Sequence, residues 1–140
     1  MKPQTSARSE RAGASIWAVL VTAGAFTVLL GLVVDGGRLI DSRLESAHIA
    51  GQAARVAADS LSAASVRNGR DAVAVQSATT RANDYLHDAG MAGSVHVDGD
   101  TVKVTVTGRS QTQILSVLGI SSFPIQETKT ATAINEEDVP

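Results

Sequence analysis

The chain contains no cysteine. That excludes a disulfide framework, a thiolate metal site and a thiol nucleophile, so the fold must be held by packing alone. Aromatic residues make up only 3% of the sequence, and the core therefore has to be built from Ala, Val, Leu and Ile. Basic residues are dispersed and the net charge is −2. A nucleic-acid surface needs clustered Lys and Arg, so none is expected. Charge, Pro, Asn and Gln are all missing from Ala14 to Val34. As a helix rising about 1.5 Å per residue, that stretch reaches roughly 30 Å, the thickness of a bilayer's hydrocarbon core.

Three readings of this stretch compete. A buried core helix is one, but so long an uncharged run is unusual in a small domain. A cleaved secretory signal is the second, but its apolar region spans only about 7–15 residues and ends in a small-x-small exit. Here the run continues into Val33-Val34-Asp35. A membrane-spanning helix over residues 14–34 is the third and is favoured by length. Lys2, Arg8 and Arg11 precede it, and Arg38 and Arg43 follow it. With the amino terminus counted, the balance favours a cytoplasmic tail at 1–13 and an extracytoplasmic domain at 35–134. Residues 135–140 read as an acidic, disordered end. Of 140 residues, about 105 lie beyond the span, enough for one small domain and too few for two.

Within the span Gly24, Thr27 and Gly31 share one face, a small-residue surface on which a neighbouring helix can pack; Gly is also simply common in membrane helices. Helical periodicity then continues through Leu39/Ile40, Leu44, Ala47, Ala50/Gly51, Ala54, Ala57/Ala58, Leu61 and Ala64. Asp41, Glu45, Arg55 and Asp59 lie opposite. No Pro interrupts residues 35–68, so the span is expected to continue as one rod of about 50 residues, ended by Asn68-Gly69. Its Ala-rich face, with Ala47 and Ala54, allows very close approach, either by the chain's own sheet or by another subunit.

Asp71 suits the cap of a second helix, with Val75, Ala78, Ala82, Tyr85/Leu86 and Ala89 on its apolar face and Gly90 at its end. The period then changes to two. An Asp98-Gly99 turn would pair Val97 with Asp100. A Gly99-Asp100 turn pairs Val97 with Val102 and Val95 with Val104, and that register is preferred. Ser110-Gln111-Thr112-Gln113 fits a capping box for a short helix closed by Gly119. A last strand covers Phe123 to Ile134, with Pro124 at its start or on an edge. Thr128, Thr130 and Thr132 lie on one face of it, and Ala131 and Ala133 on the other. The expected class is α+β in the order α-α-β-β-α-β, with a long helix packed on a small antiparallel sheet.

Nothing in the sequence argues for catalysis. His48, His87 and His96 have no metal-ligand spacing. There is no Gly-x-Ser-x-Gly, no Ser/His/Asp constellation and no phosphate loop. No catalytic residue, metal, cofactor or small-molecule substrate is expected. Asp35 and Arg38, three apart at the membrane exit, are placed to form an ion pair.

The segment Arg11-Ala12-Gly13-Ala14, the span, Asp35-Gly36-Gly37-Arg38 and the helix from Arg43-Leu44-Glu45-Ser46-Ala47 through Ala50, Ala53, Ala54, Ala57 and Ala58 resemble the N-terminal region of TadE/TadG-like proteins. These belong to the tight-adherence, Flp-type pilus assembly systems of bacteria. The downstream hairpin, Leu-Gly-Ile segment and Thr/Ala-rich strand are similar to the small members. The resemblance implies a pilin-like fold and a membrane-anchored, pseudopilin-like subunit whose partners are the bilayer and other pilus or secretion-system subunits, including further copies of itself. It implies a membrane-exit motif at Asp35, Gly37 and Arg38. It also implies a prepilin-peptidase cut between Gly13 and Ala14. Ala18 then takes the place of the Glu that usually stands fifth in the mature chain, and the Cys of many small members is missing. The alternative is a membrane-anchored extracytoplasmic ligand-binding or sensory domain, which needs a concave pocket with convergent polar groups.

Overall fold

The computed structural model describes residues 6–68 and 72–134, with side chains for 13–63 and 72–134. The class is α+β. Helix α1 covers Ser6–Asn68 and helix α2 Ala72–Asp88. Strands β1 (Ala92–Asp98), β2 (Thr101–Gln111) and β3 (Ser122–Thr132) form one antiparallel sheet in that spatial order. A 3₁₀ turn, Leu115–Leu118, stands between β2 and β3 where the capping box predicted an α-helix. The described residues fall into two compact units, one of 6–38 and 111–121, the other of 39–68, 72–110 and 122–134.

In the second unit α1 contributes a seam of alanines, Ala50, Ala53, Ala54, Ala57 and Ala58, with Leu61 at its end. Helix α2 adds Ala74, Ala78, Ala82 and Leu86, and the sheet adds Val102, Val104 and Val106, all three fully buried. Each valine contributes about 1.5–3 kcal/mol, and each alanine far less. The small side chains bring the helix backbones close to the valine face, so packing density takes the place of bulk. Asp41, Glu45, Arg55 and Asp59 face outward, as the periodicity requires.

The buried faces match those read in the sequence at Ala50, Ala54, Ala57, Ala58 and Leu61 on α1 and at Ala78, Ala82 and Leu86 on α2, and depart from them at their ends. Ile40 and Leu44 are 61% and 65% exposed, while Ser42 is half-buried and Ser46 buried on the seam itself. The Ser42 hydroxyl donates to Ser110 Oγ at 3.3 Å, so a polar contact replaces the expected leucine at the start of the seam. On α2 Ala74 is buried and Val75 exposed, and Ala89 lies beyond the helix and is exposed. The backbone is already helical at Ser6, inside the segment expected to be a disordered tail. The run from Ser6 is free of Pro and contains Ala7, Arg8, Glu10, Arg11 and Ala12, all good helix formers, which lets the helix extend backwards from the apolar stretch. Gly69, Asp71 and residues 135–140 lie outside the described residues, as does the side chain of Ala64.

The turns form as their glycines require. Gly90 has φ +67°. Its N–H donates to His87 O at 2.9 Å and that of Met91 to Leu86 O at 2.9 Å, closing α2 in a Schellman motif. Gly99 has φ +57° and the register pairs Val97 with Val102 and Val95 with Val104. The two-residue Gly99-Asp100 turn is therefore the one used. On β3 Ala131 and Ala133 point inward, while Thr128, Thr130 and Thr132 are exposed.

Gly93 on β1 lies under Leu86. A Cβ there would sit 2.5 Å from the backbone oxygen of Thr105 and 3.0 Å from Leu86 Cδ1. Backbone on the neighbouring strand cannot move aside cheaply, so Gly93→Ala is expected to destabilise the fold by about 1–3 kcal/mol. Gly108→Ala, where nothing lies within 4 Å, should change stability by less than about 0.5 kcal/mol. Thermal unfolding of the detergent-solubilised chain separates the two; equal midpoints would show that the close approach at Gly93 is not constraining.

Candidate functional site at the end of the apolar run

The apolar run ends at Val34, and the next residue is the first charged one after Arg11. A carboxylate at such a boundary is expected to face water, but Asp35 is only 2% exposed. Its partners are backbone amides from the segment that precedes and opens the 3₁₀ turn. Oδ1 accepts from the N–H of Gln113 at 2.8 Å. Oδ2 accepts from Ile114 at 3.1 Å and from Leu115 at 2.8 Å. Three consecutive N–H groups at the head of a turn have no partner within it, and one carboxylate from α1 satisfies all three. The cap foreseen at Ser110 is absent: Ser110 belongs to β2, where its hydroxyl accepts from Ser42.

Four residues before Asp35, on the same face of α1, stands Gly31. It is buried, and a Cβ there would lie 2.8 Å from Leu115 Cδ2 and 3.1 Å from Ile114 Cγ2. Gly31 thus clears the space in which Ile114 and Leu115 rest, and Asp35 holds the backbone that carries them. The segment 111–121 is closed on itself as well. Thr112 N–H donates to Ser121 O at 3.0 Å, the Thr112 hydroxyl donates to Ile120 O, and Gly119, with φ +90°, ends the turn.

The Asp35 carboxyl is held below the ordinary 3.8. The N–H of Leu115 is the main cause. Burial acts against it, and the amides of Gln113 and Ile114 and the positive charge of Arg38 add to it. Arg38 itself is exposed. The pair foreseen between Asp35 and Arg38 is thus a through-space attraction, subordinate to the backbone bonds. Gly37 is exposed with open space at its Cβ position.

Of the small residues expected to meet a neighbouring helix, two are already covered by the chain itself. Gly31 lies under Leu115, and Ala54 is fully buried in the alanine seam. Ala47 is half-buried. Gly24 and Thr27 remain exposed, the Thr27 hydroxyl donating back to Ala23 O at 2.9 Å. Gly13 is half-buried and Ala14 exposed. A shallow, open depression lined by Ala18, Val19, Thr22, Ala23 and Phe26 runs along one face of α1. His48, His87 and His96 are all exposed, and no group of three or more metal-binding side chains occurs among the described residues.

Helix α1 supplies the one stretch among the described residues long and apolar enough to cross a membrane, and only 6% of its most apolar eighteen residues is buried within the chain. A soluble core helix would be mostly buried. The exposed Trp17, Leu20, Phe26, Leu29, Leu30 and Val33 fit a single membrane anchor instead. No family model matches the chain, and no curated protein or solved structure is significantly similar to it.

The sequence marks Asp35 and Gly31 separately, one at the end of the span and one on its small-residue face, but carries no sign that they act together or that the Gln113–Leu115 amides are the partners of Asp35. A backbone donor leaves no mark in a sequence. The available signal is the absence of charge from 110–126, which includes the whole connection 112–121 between β2 and β3.

Because the folded carboxyl titrates below its unfolded value, its contribution to stability is full above the unfolded value and is lost as pH falls through the folded one. Amide exchange at Gln113, Ile114 and Leu115, corrected for the intrinsic rate, should therefore be slow at neutral pH and accelerate below about pH 3.8. In Asp35→Asn it should be fast throughout and lose that pH dependence. Unchanged protection in Asp35→Asn would show that the carboxylate does not hold the segment.

Proposed function

We propose that this chain is a non-enzymatic, membrane-anchored, pseudopilin-like component of a tight-adherence-type pilus or related secretion system. Its N-terminus lies in the cytoplasm and its α+β domain outside. The observation that carries the reading is α1: one helix of 63 residues whose apolar part is exposed and whose later part buries an alanine seam. A subunit built this way is anchored by its span and can meet others through helix surfaces left uncovered, as in pilin-like assemblies. The Asp-x-Gly-Arg exit and its resemblance to TadE/TadG-like proteins support the same reading.

The geometry redefines which surfaces serve. Gly31 and Ala54 are occupied by the chain itself, so packing against partners falls to Gly24 and Thr27 in the span and to Ile40 and Leu44 beyond it. Those two are one turn apart and exposed. Asp35 sets the helix rotation at the boundary from within, while Arg38 is free to meet headgroups.

The native chain has no cysteine, so an introduced thiol reports alone. Oxidation in native membranes should give cross-linked species from Gly24→Cys and from Ile40→Cys, and none from Ala54→Cys. A chain that stays monomeric and captures no partner at either exposed position overturns the proposal. Mass spectrometry of the membrane-bound form decides whether the chain is cut between Gly13 and Ala14.

A further inference from the structure

Val117, Leu118 and Ile120 are 81%, 52% and 44% exposed on the 3₁₀ turn and the residues just after it. Residues 110–126 carry no charge at all. An apolar cluster of this kind on a connecting segment needs a cover. We infer that the segment around Val117, Leu118 and Ile120 is a second membrane contact, a wedge that enters the bilayer interface beside the helix α1. The inference rests on the membrane anchor and is independent of the pilus reading.

Two observations select a lipid surface as the occupant. The first is continuity with the span. Ile114 and Leu115 rest on Gly31, which lies three residues, about 4.5 Å along the helix, inside the end of the apolar run at Val34. The turn is therefore fastened at the depth where the hydrocarbon begins. Interfacial segments bury their apolar side about 5–10 Å into the boundary between headgroups and acyl chains. The exposed Val117, Leu118 and Ile120 belong to the same fastened turn.

The second is the state of the backbone. Peptide groups entering an interface must already be paired, because unpaired ones are costly away from water. The N–H of Thr112 is taken by Ser121 O, and those of Gln113, Ile114 and Leu115 by Asp35. Val117 N–H donates to Ile114 O at 3.2 Å, Gly119 to Ser116 O at 3.0 Å and Ile120 to Leu115 O at 3.1 Å. The Ser116 hydroxyl donates to Gln113 O at 2.6 Å. Such internal pairing lowers the cost of desolvating the turn, and Asp35 supplies much of it. The buried carboxylate thus has a purpose beyond capping: it prepares an uncharged loop for contact with lipid.

The test uses the full chain reconstituted in phosphatidylcholine vesicles, some carrying a doxyl quencher on the upper acyl chain. Val117→Cys and Ile120→Cys, each labelled with an environment-sensitive NBD group, report on the wedge. Thr130→Cys, on the exposed face of β3, reports on the aqueous side. The single native Trp17 reports on insertion of the span. The expected result is a blue-shifted NBD emission at 117 and 120 that is quenched by doxyl lipid and not by aqueous iodide, with the reverse at 130, while Trp17 is quenched by doxyl lipid. Iodide quenching at 117 and 120, with Trp17 still lipid-quenched, overturns the wedge and leaves the anchor standing. Protection at 117 and 120 from both quenchers means that protein covers the turn, and also overturns it. Failure of doxyl lipid to quench Trp17 removes the anchor and the wedge together.

Discussion

Three consecutive backbone amides converge on one carboxylate, and the first unit depends on that convergence. Without Asp35 the N–H groups of Gln113, Ile114 and Leu115 have no acceptor in their own turn, and the segment 111–121 loses its fastening to α1. Gly31 precedes Asp35 by one helical turn, and the side chains of Ile114 and Leu115 rest on it. A Cβ at Gly31 would sit 2.8 Å from Leu115 Cδ2, so the Leu115 and Ile114 side chains would have to shift to admit it. The two residues form one device: an acceptor that holds the backbone, and a gap that admits its side chains. The ionised form is favoured by those amides and opposed by burial, and the amides prevail.

The second unit solves a different problem with similar means. A sequence with few aromatics has little apolar area per side chain to remove from water. It compensates by bringing backbones together. Alanines at Ala50, Ala53, Ala54, Ala57 and Ala58 and at Ala74, Ala78 and Ala82 give two smooth helix faces, and Val102, Val104 and Val106 give a regular sheet face. Gly93 lets Leu86 settle onto β1. At Gly93 the nearest atom an added methyl would meet is the backbone oxygen of Thr105, so enlargement there is costly.

Much of this was legible in the sequence wherever the cause is local. The long helix follows from periodicity and the missing Pro; the Gly99-Asp100 register follows from matching valine with valine; Gly90 and Gly119 mark ends that only glycine adopts easily. The device at Asp35 was not legible, because its partners lie nearly eighty residues away and are peptide groups common to every residue. The only charged partner that helical spacing offers Asp35 is its neighbour Arg38. The local pattern permits Ser110 as a helix cap, but its place in β2 outweighs that preference. The seam on α1 turned away from Ile40 and Leu44 because periodicity specifies a stripe only to within about a residue. The serines that replace them, Ser42 and Ser46, are small enough for close approach.

The Gly31–Asp35 fastening also has a mechanical consequence. A helix that moves by one residue along a fixed contact must turn through about 100°, which would carry Asp35 away from all three amides at once. Segment 111–121 is joined by the chain to β2 on one side and β3 on the other. Within the first unit the fastening therefore behaves as a key in a shaft: the apolar part of α1 resists spinning and sliding against segment 111–121.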